Sequence, residues 1–179
     1  GVSFYEQKWA KFFKGLGFAT FAVDSKTERN CTQYFGGCAA QHQGMANIVD
    51  AYQALNLLRS HPRIDKHKIV LFGLSIGGKA ALYSGMQRFQ GLWGRNDQKF
   101  AGYVALYPPC NIDFEDDHLM DGSPVSIHIG EKDEWASAPI CAAYADRLRK
   151  NGIDASVTIY KDAHHGFDTM SPQGPGGFD

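Results

Sequence analysis

The chain has 179 residues, 44% hydrophobic and 13% aromatic, enough apolar material for one well-buried domain with no compositional shift to mark a second. Its formal net charge of −1 leaves no electrostatic footprint for nucleic acid or an anionic membrane. No apolar run approaches the roughly 18 residues that cross a bilayer, and the seven histidines form no HExxH and meet no CxxC pair, so nothing supports a metal site.

In chain order, Tyr5–Lys14 (YEQKWAKFFK) places Trp9, Phe12 and Phe13 on one face of an expected helix, which Gly15 and Gly17 end. Phe18–Val23 (FATFAV) reads as an almost wholly apolar strand. Met45–Arg59 reads as a helix with Ile48, Tyr52, Leu55 and Arg59 along one side, closed by His61 and Pro62. Lys68–Gly73 (KIVLFG) has the most continuous strand character. A helix from about Ile76 to Phe89 follows, then strands at Ala101–Tyr107 and Pro124–Gly130, a helix at Ser137–Lys150 and a strand at Ala155–Tyr160. Apolar strands separated by helices imply a parallel sheet covered on both faces, an α/β fold with one doubly wound layer. Residues 1–179 read as a single domain, with 171–179 a loop or flexible tail rich in proline and glycine.

The sharpest chemical signal is Gly73-Leu74-Ser75-Ile76-Gly77-Gly78, directly between a strand and a helix. That setting is what a nucleophile elbow requires: a tight, strained turn in which only small residues fit two positions before and after the serine. The turn exposes the hydroxyl at a helix N-terminus, where the N–H of Ile76 points at a developing oxyanion. A serine needs a base, and in such sheets an acid and then a histidine follow in the loops after later strands. Gly130-Glu131-Lys132-Asp133-Glu134-Trp135 offers three carboxylates. Asp133 is preferred, because a short aspartate three residues past the glycine suits a turn that aims its carboxylate inward. The last strand is followed by His164-His165-Gly166, and Gly166 permits close approach beside His165.

The elbow GLSIGG, the strand end LYPPCN (Leu106–Asn111), the acid loop GEKDEW and the histidine loop AHHGFD resemble, in that order, the pattern of the dienelactone hydrolase family of α/β hydrolases. The resemblance runs from about Trp9 to Asp168 and implies Ser75 as nucleophile, Asp133 as acid and His165 as base. In the family pattern the histidine directly precedes a small residue and a phenylalanine, which again selects His165. The founding members use cysteine as nucleophile, so Ser75 implies the broader esterase branch. The resemblance further implies an HGxGG-like oxyanion segment ending at Gly1. On that reading the chain lacks its first strands, including one between FATFAV and KIVLFG, and the final helix. A missing N-terminal segment of the same domain is then an expected partner, and the isolated chain is expected to be nearly inactive. It also implies a Cys110–Cys141 disulfide, which would point to an exported protein of a bacterial periplasm. Cys31 and Cys38 are a second candidate pair.

The expected substrate is a small carboxylic ester (or lactone), cleaved without a cofactor through an acyl-enzyme, with the N–H of Ile76 as one oxyanion donor. Candidate pocket residues are Arg29, Tyr34, Phe35, Tyr107, Pro108 and Trp135; Arg29 would pair with a substrate carboxylate, as a similarly placed arginine does in dienelactone hydrolases. A serine peptidase or amidase and a non-catalytic, ligand-binding α/β-hydrolase homologue are the competing readings. A Rossmann or flavodoxin-like domain is disfavoured, because no glycine-rich phosphate loop follows the first strand.

Overall fold

A computed structural model describes residues 4–29, 44–95, 98–111 and 114–168; Cys31, Tyr34, Phe35, Cys38 and the expected tail at 171–179 lie outside them. The elements are α1 (Phe4–Gly15), α2 (Met45–Ser60), β1 (Val70–Leu74), α3 (Ile76–Tyr83), α4 (Gln87–Trp93), β2 (Gly102–Leu106), β3 (Val125–Gly130), α5 (Ala138–Lys150) and β4 (Ala155–Tyr160). The strands form one all-parallel sheet in the order β1-β2-β3-β4. Sequential parallel neighbours put every strand C-terminus, and the loops that follow, along one edge.

Side chains alternate across the sheet with period two. Tyr103, Ala105, Val125, Ile127 and Ile129 face the main core, packed with Ile48, Tyr52 and Leu55 of α2, Leu82 and Tyr83 of α3, and Tyr144 and Leu148 of α5. Full burial of each of the larger aliphatic side chains contributes about 1.5–3 kcal/mol. The intervening residues Phe72, Leu74, Val104 and Leu106 form a second cluster with Trp9 of α1, Tyr107, Ala163 and Phe167. Trp9 and Phe13 both contact the Phe72 ring, at 4.8 and 5.1 Å between centroids. Helices thus lie on both faces of β1 and β2.

Two expectations are corrected. FATFAV forms no strand: residues 18–23 join no helix or sheet and are exposed, with Phe18 at 56% and Phe21 at 51%. A strand exists only with a ladder partner, and among the described residues β1 pairs with β2 alone, so the two segments do not pair with each other. Among the described residues, helices lie on both faces of β1 and β2 and on one face of β3 and β4. There the second face carries Ser126, His128, Ser156 and Thr158, a hydroxyl-rich surface in which His128 bridges Ser126 Oγ and the Tyr160 hydroxyl at 3.0 Å each. The helix expected over Ile76–Phe89 is broken at Ser84–Met86. Met86 turns extended and bridges to Met120, while a Cβ at Gly85 would lie 2.4 Å from Met120 Cε.

Candidate active site

Ser75 stands between β1 and α3 with φ 51° and ψ −115°, a strained backbone for a residue with a side chain. Two bonds hold it there: its N–H extends the β1–β2 ladder to the Leu106 carbonyl at 2.9 Å, and its carbonyl accepts from Lys79 N–H at 2.8 Å. The crossing is so close that a Cβ on Gly73 would lie 2.0 Å from the Gly77 carbonyl oxygen. The rule of small residues on both sides is only half right, however. A Cβ on Gly77 meets nothing within 4 Å; it is Gly78, one residue further, that would run into the Leu106 carbonyl at 2.8 Å. Ile76 opens α3, so its N–H is among the helix's first four and has no intrahelical acceptor.

The acid loop after β3 and the histidine loop after β4 are joined backbone to backbone. Glu131 N–H donates to the Tyr160 carbonyl and Lys132 N–H to the Ala163 carbonyl, each at 2.9 Å. Gly130 is required for that approach, since a Cβ there would sit 2.2 Å from the Ala163 oxygen. Lys132 and Asp162 add an ion pair at 2.8 Å across the same junction.

These loops bring the three predicted residues into line. Ser75 Oγ lies 3.0 Å from His165 Nε2, and His165 Nδ1 lies 3.0 and 2.9 Å from the two Asp133 carboxylate oxygens. The Asp133 side chain is wholly enclosed and that of His165 is 15% exposed. Asp133 Oδ1 also accepts the backbone N–H groups of Trp135 and Ala136, at 2.9 and 2.7 Å, which is the turn that aims it inward. His164 points elsewhere and meets Glu134 at 3.2 Å. Desolvation opposes it, but hydrogen bonds from the Glu134 backbone, the His164 ring and the His165 backbone hold the Glu134 carboxyl below its ordinary range.

The imidazole of His165 contacts two aromatic rings. Trp135 stacks on it with 17° between planes and 5.3 Å between centroids, and Tyr107 meets it edge-on at 4.8 Å. Tyr107 has φ 40° and is 4% exposed, so it supports the histidine and does not line an open pocket. Arg29 is engaged within the chain: its guanidinium binds both oxygens of Asp50 in α2, at 2.7 and 2.8 Å, and the Ser25 carbonyl at 2.8 Å.

Sequence reasoning missed Asp168. Its carboxylate accepts from the Tyr107 hydroxyl and from the Trp9 indole N–H, each at 2.7 Å, while its carbonyl accepts from Lys8 Nζ. It therefore ties α1 to the histidine loop and to the residue behind the imidazole. The available signal was its position three residues after His165. The predicted Cys110–Cys141 disulfide is present and joins the loop after β2 to α5, with both residues buried. Among the described residues no group of three or more metal-ligating side chains is present, and no helix is long and apolar enough to cross a membrane.

The sequence model of the dienelactone hydrolase family matches residues 10–175. A Caenorhabditis elegans protein described as uncharacterized is 32% identical over 114 residues, covering 64% of this chain and 68% of that protein. Among solved structures, the dienelactone hydrolase-like promiscuous phosphotriesterase P91 from metagenomic libraries superposes with a TM-score of 0.70 at 21% identity, over 95% of this chain and 69% of its own. A thermophilic esterase from Thermogutta terrifontis, propionate-bound, gives a TM-score of 0.56 at 19% identity, over 67% of this chain and 55% of its own. The chain spans about half the length of several such structures, 50% for an α/β hydrolase from a deep-sea metagenome. At these identities the structural likenesses show the α/β-hydrolase fold.

Proposed function

Because the chain belongs to the dienelactone hydrolase family, we propose that it is the catalytic part of a serine hydrolase that cleaves small carboxylic esters or lactones through an acyl-enzyme. The observation that carries this reading is the continuous line from Ser75 Oγ through both nitrogens of His165 to the enclosed carboxylate of Asp133. A serine hydroxyl is a weak nucleophile until a base takes its proton, and the base must stand within about 2.6–3.2 Å.

In this mechanism Ser75 Oγ bonds to the ester carbonyl carbon as its proton passes to His165 Nε2. Asp133 holds the proton of Nδ1, which fixes the tautomer, and balances the imidazolium. The carbonyl oxygen becomes an oxyanion facing the N–H of Ile76; each donor of such a hole lowers the barrier by roughly 3–4 kcal/mol. The ester C–O bond then breaks, and Nε2 returns its proton to the departing alcohol. Water, activated by the same histidine, adds to the acyl carbon and releases acid and free Ser75.

The direct test is fluorophosphonate labelling of the full-length protein with the adduct mapped by peptide mass spectrometry. Labelling on Ser75 that disappears in Ser75→Ala and His165→Ala is expected. A well-folded sample that stays unlabelled excludes an activated serine.

A further inference from the structure

Trp135 is the largest exposed apolar side chain beside the triad, with 55% of its surface in solvent. Its position is set, not incidental. The backbone N–H of Trp135 is bound by Asp133, and the indole lies parallel to the His165 ring. An indole so fixed and so open forgoes the burial a core tryptophan obtains, and offers flat apolar area at little cost in side-chain entropy.

Which half of a substrate it meets follows from the direction of proton flow. The carbonyl oxygen turns toward the N–H of Ile76, while the departing alcohol must receive its proton from His165 Nε2. The alcohol half therefore lies on the imidazole side, along which Trp135 stands. Charge narrows the class further. Arg29 is held by Asp50, and the loop that carries Trp135 also carries Glu131 and Glu134, while its lysine, Lys132, is paired with Asp162 at 2.8 Å. A carboxylate on the alcohol would meet like charge there.

We propose that Trp135 determines specificity for the alcohol half of the substrate, and that the site selects uncharged esters of flat, apolar alcohols. This rests on the acyl-transfer reading above. The test uses two isomeric esters, benzyl acetate and methyl phenylacetate, which place the same ring on the alcohol or on the acyl side. Their alcohols are of similar leaving ability, so the comparison isolates recognition. With the full-length protein, kcat/KM for benzyl acetate is expected to exceed that for methyl phenylacetate by about tenfold, an aromatic contact's worth. Trp135→Ala should shrink that ratio about tenfold, chiefly through a higher KM for benzyl acetate, while Trp135→Phe restores most of it. A 4-carboxybenzyl acetate should react about tenfold more slowly than benzyl acetate. A ratio unmoved by Trp135→Ala, or a preference for methyl phenylacetate, overturns the proposal. Equal rates for the charged and uncharged benzyl esters overturn its charge component. Fluorophosphonate labelling of the same samples separates the two readings: Ser75 labelled with the ratio unmoved removes this proposal alone, whereas Ser75 unlabelled removes both.

Discussion

Tyr107 donates its phenolic hydrogen to Asp168 at 2.7 Å while the edge of its ring rests on His165. The residue beside the His165 imidazole is thus anchored from the far end of the histidine loop, by a carboxylate that also holds Trp9. Asp168→Ala leaves one buried and one half-buried donor without this acceptor and should cost about 2–3 kcal/mol in urea unfolding. Tyr107→Phe loses one bond and keeps the ring, so it should cost about 1 kcal/mol and leave hydrolysis closer to wild type than Tyr107→Ala does.

The triad assigns unequal roles to the adjacent histidines. In the full-length protein Ser75→Ala and His165→Ala should each lower kcat about 10⁴-fold or more, and Asp133→Asn about 10³–10⁴-fold. His164→Ala removes only an exposed pair with Glu134 and should change kcat by less than about threefold. Steady-state kinetics on one ester reads all four.

The glycines of the elbow are not equivalent. Gly73→Ala drives a methyl group into the Gly77 carbonyl and should destabilise by about 2–4 kcal/mol. Gly77→Ala enters open space in a helix and should be neutral or stabilising by up to about 1 kcal/mol. Thermal unfolding of the two variants reads the difference.

His128 gives a pH signature. Burial pushes its imidazole below the ordinary value of 6.5, so the unfolded chain takes up the proton more readily than the folded one. Its effect is absent above 6.5, grows as pH falls through that value, and levels off once the folded-state imidazole is also charged. Urea midpoints between pH 7.5 and 5 should therefore fall less steeply in His128→Gln than in wild type.

The disulfide closes a separation of 31 residues between Cys110 and Cys141. The chain-entropy relation gives about 3–4 kcal/mol for such a loop. Cys110→Ala with Cys141→Ala should lower stability by that order, and both thiols of wild type should resist alkylation until the chain is unfolded and reduced.

Much of this was legible in the sequence because the site hangs on local punctuation. Gly130 and the GLSIGG turn mark where strands stop, Gly166 marks the turn beside His165, and each chemical residue sits within a few positions of such a mark. Four strands were found because their residues are apolar or alternate against a core. FATFAV misled for the same reason: apolar composition says that a segment can pair, not that a partner is at hand. Arg29 and Asp168 were opaque because their roles depend on residues 21 and 61 positions away, Asp50 and Tyr107. The split between Gly77 and Gly78 depends on where the Leu106 carbonyl arrives, which spacing does not encode.

The backbone bonds between the acid and histidine loops have a mechanical consequence. Asp133 and His165 travel as one part, braced across Glu131–Tyr160 and Lys132–Ala163, and Ser75 belongs to another, built on the β1–α3 turn. The two parts pack together through Phe72, Leu74, Ala163 and Phe167, and their polar contact is the 3.0 Å gap between Ser75 Oγ and His165 Nε2. A different nucleophilic atom at position 75 therefore changes the width of that gap and leaves the acid–base part as it stands. On the proposed function, the nucleophile is an interchangeable tooth, and the pair of Asp133 and His165 is the fixed gear it meshes with.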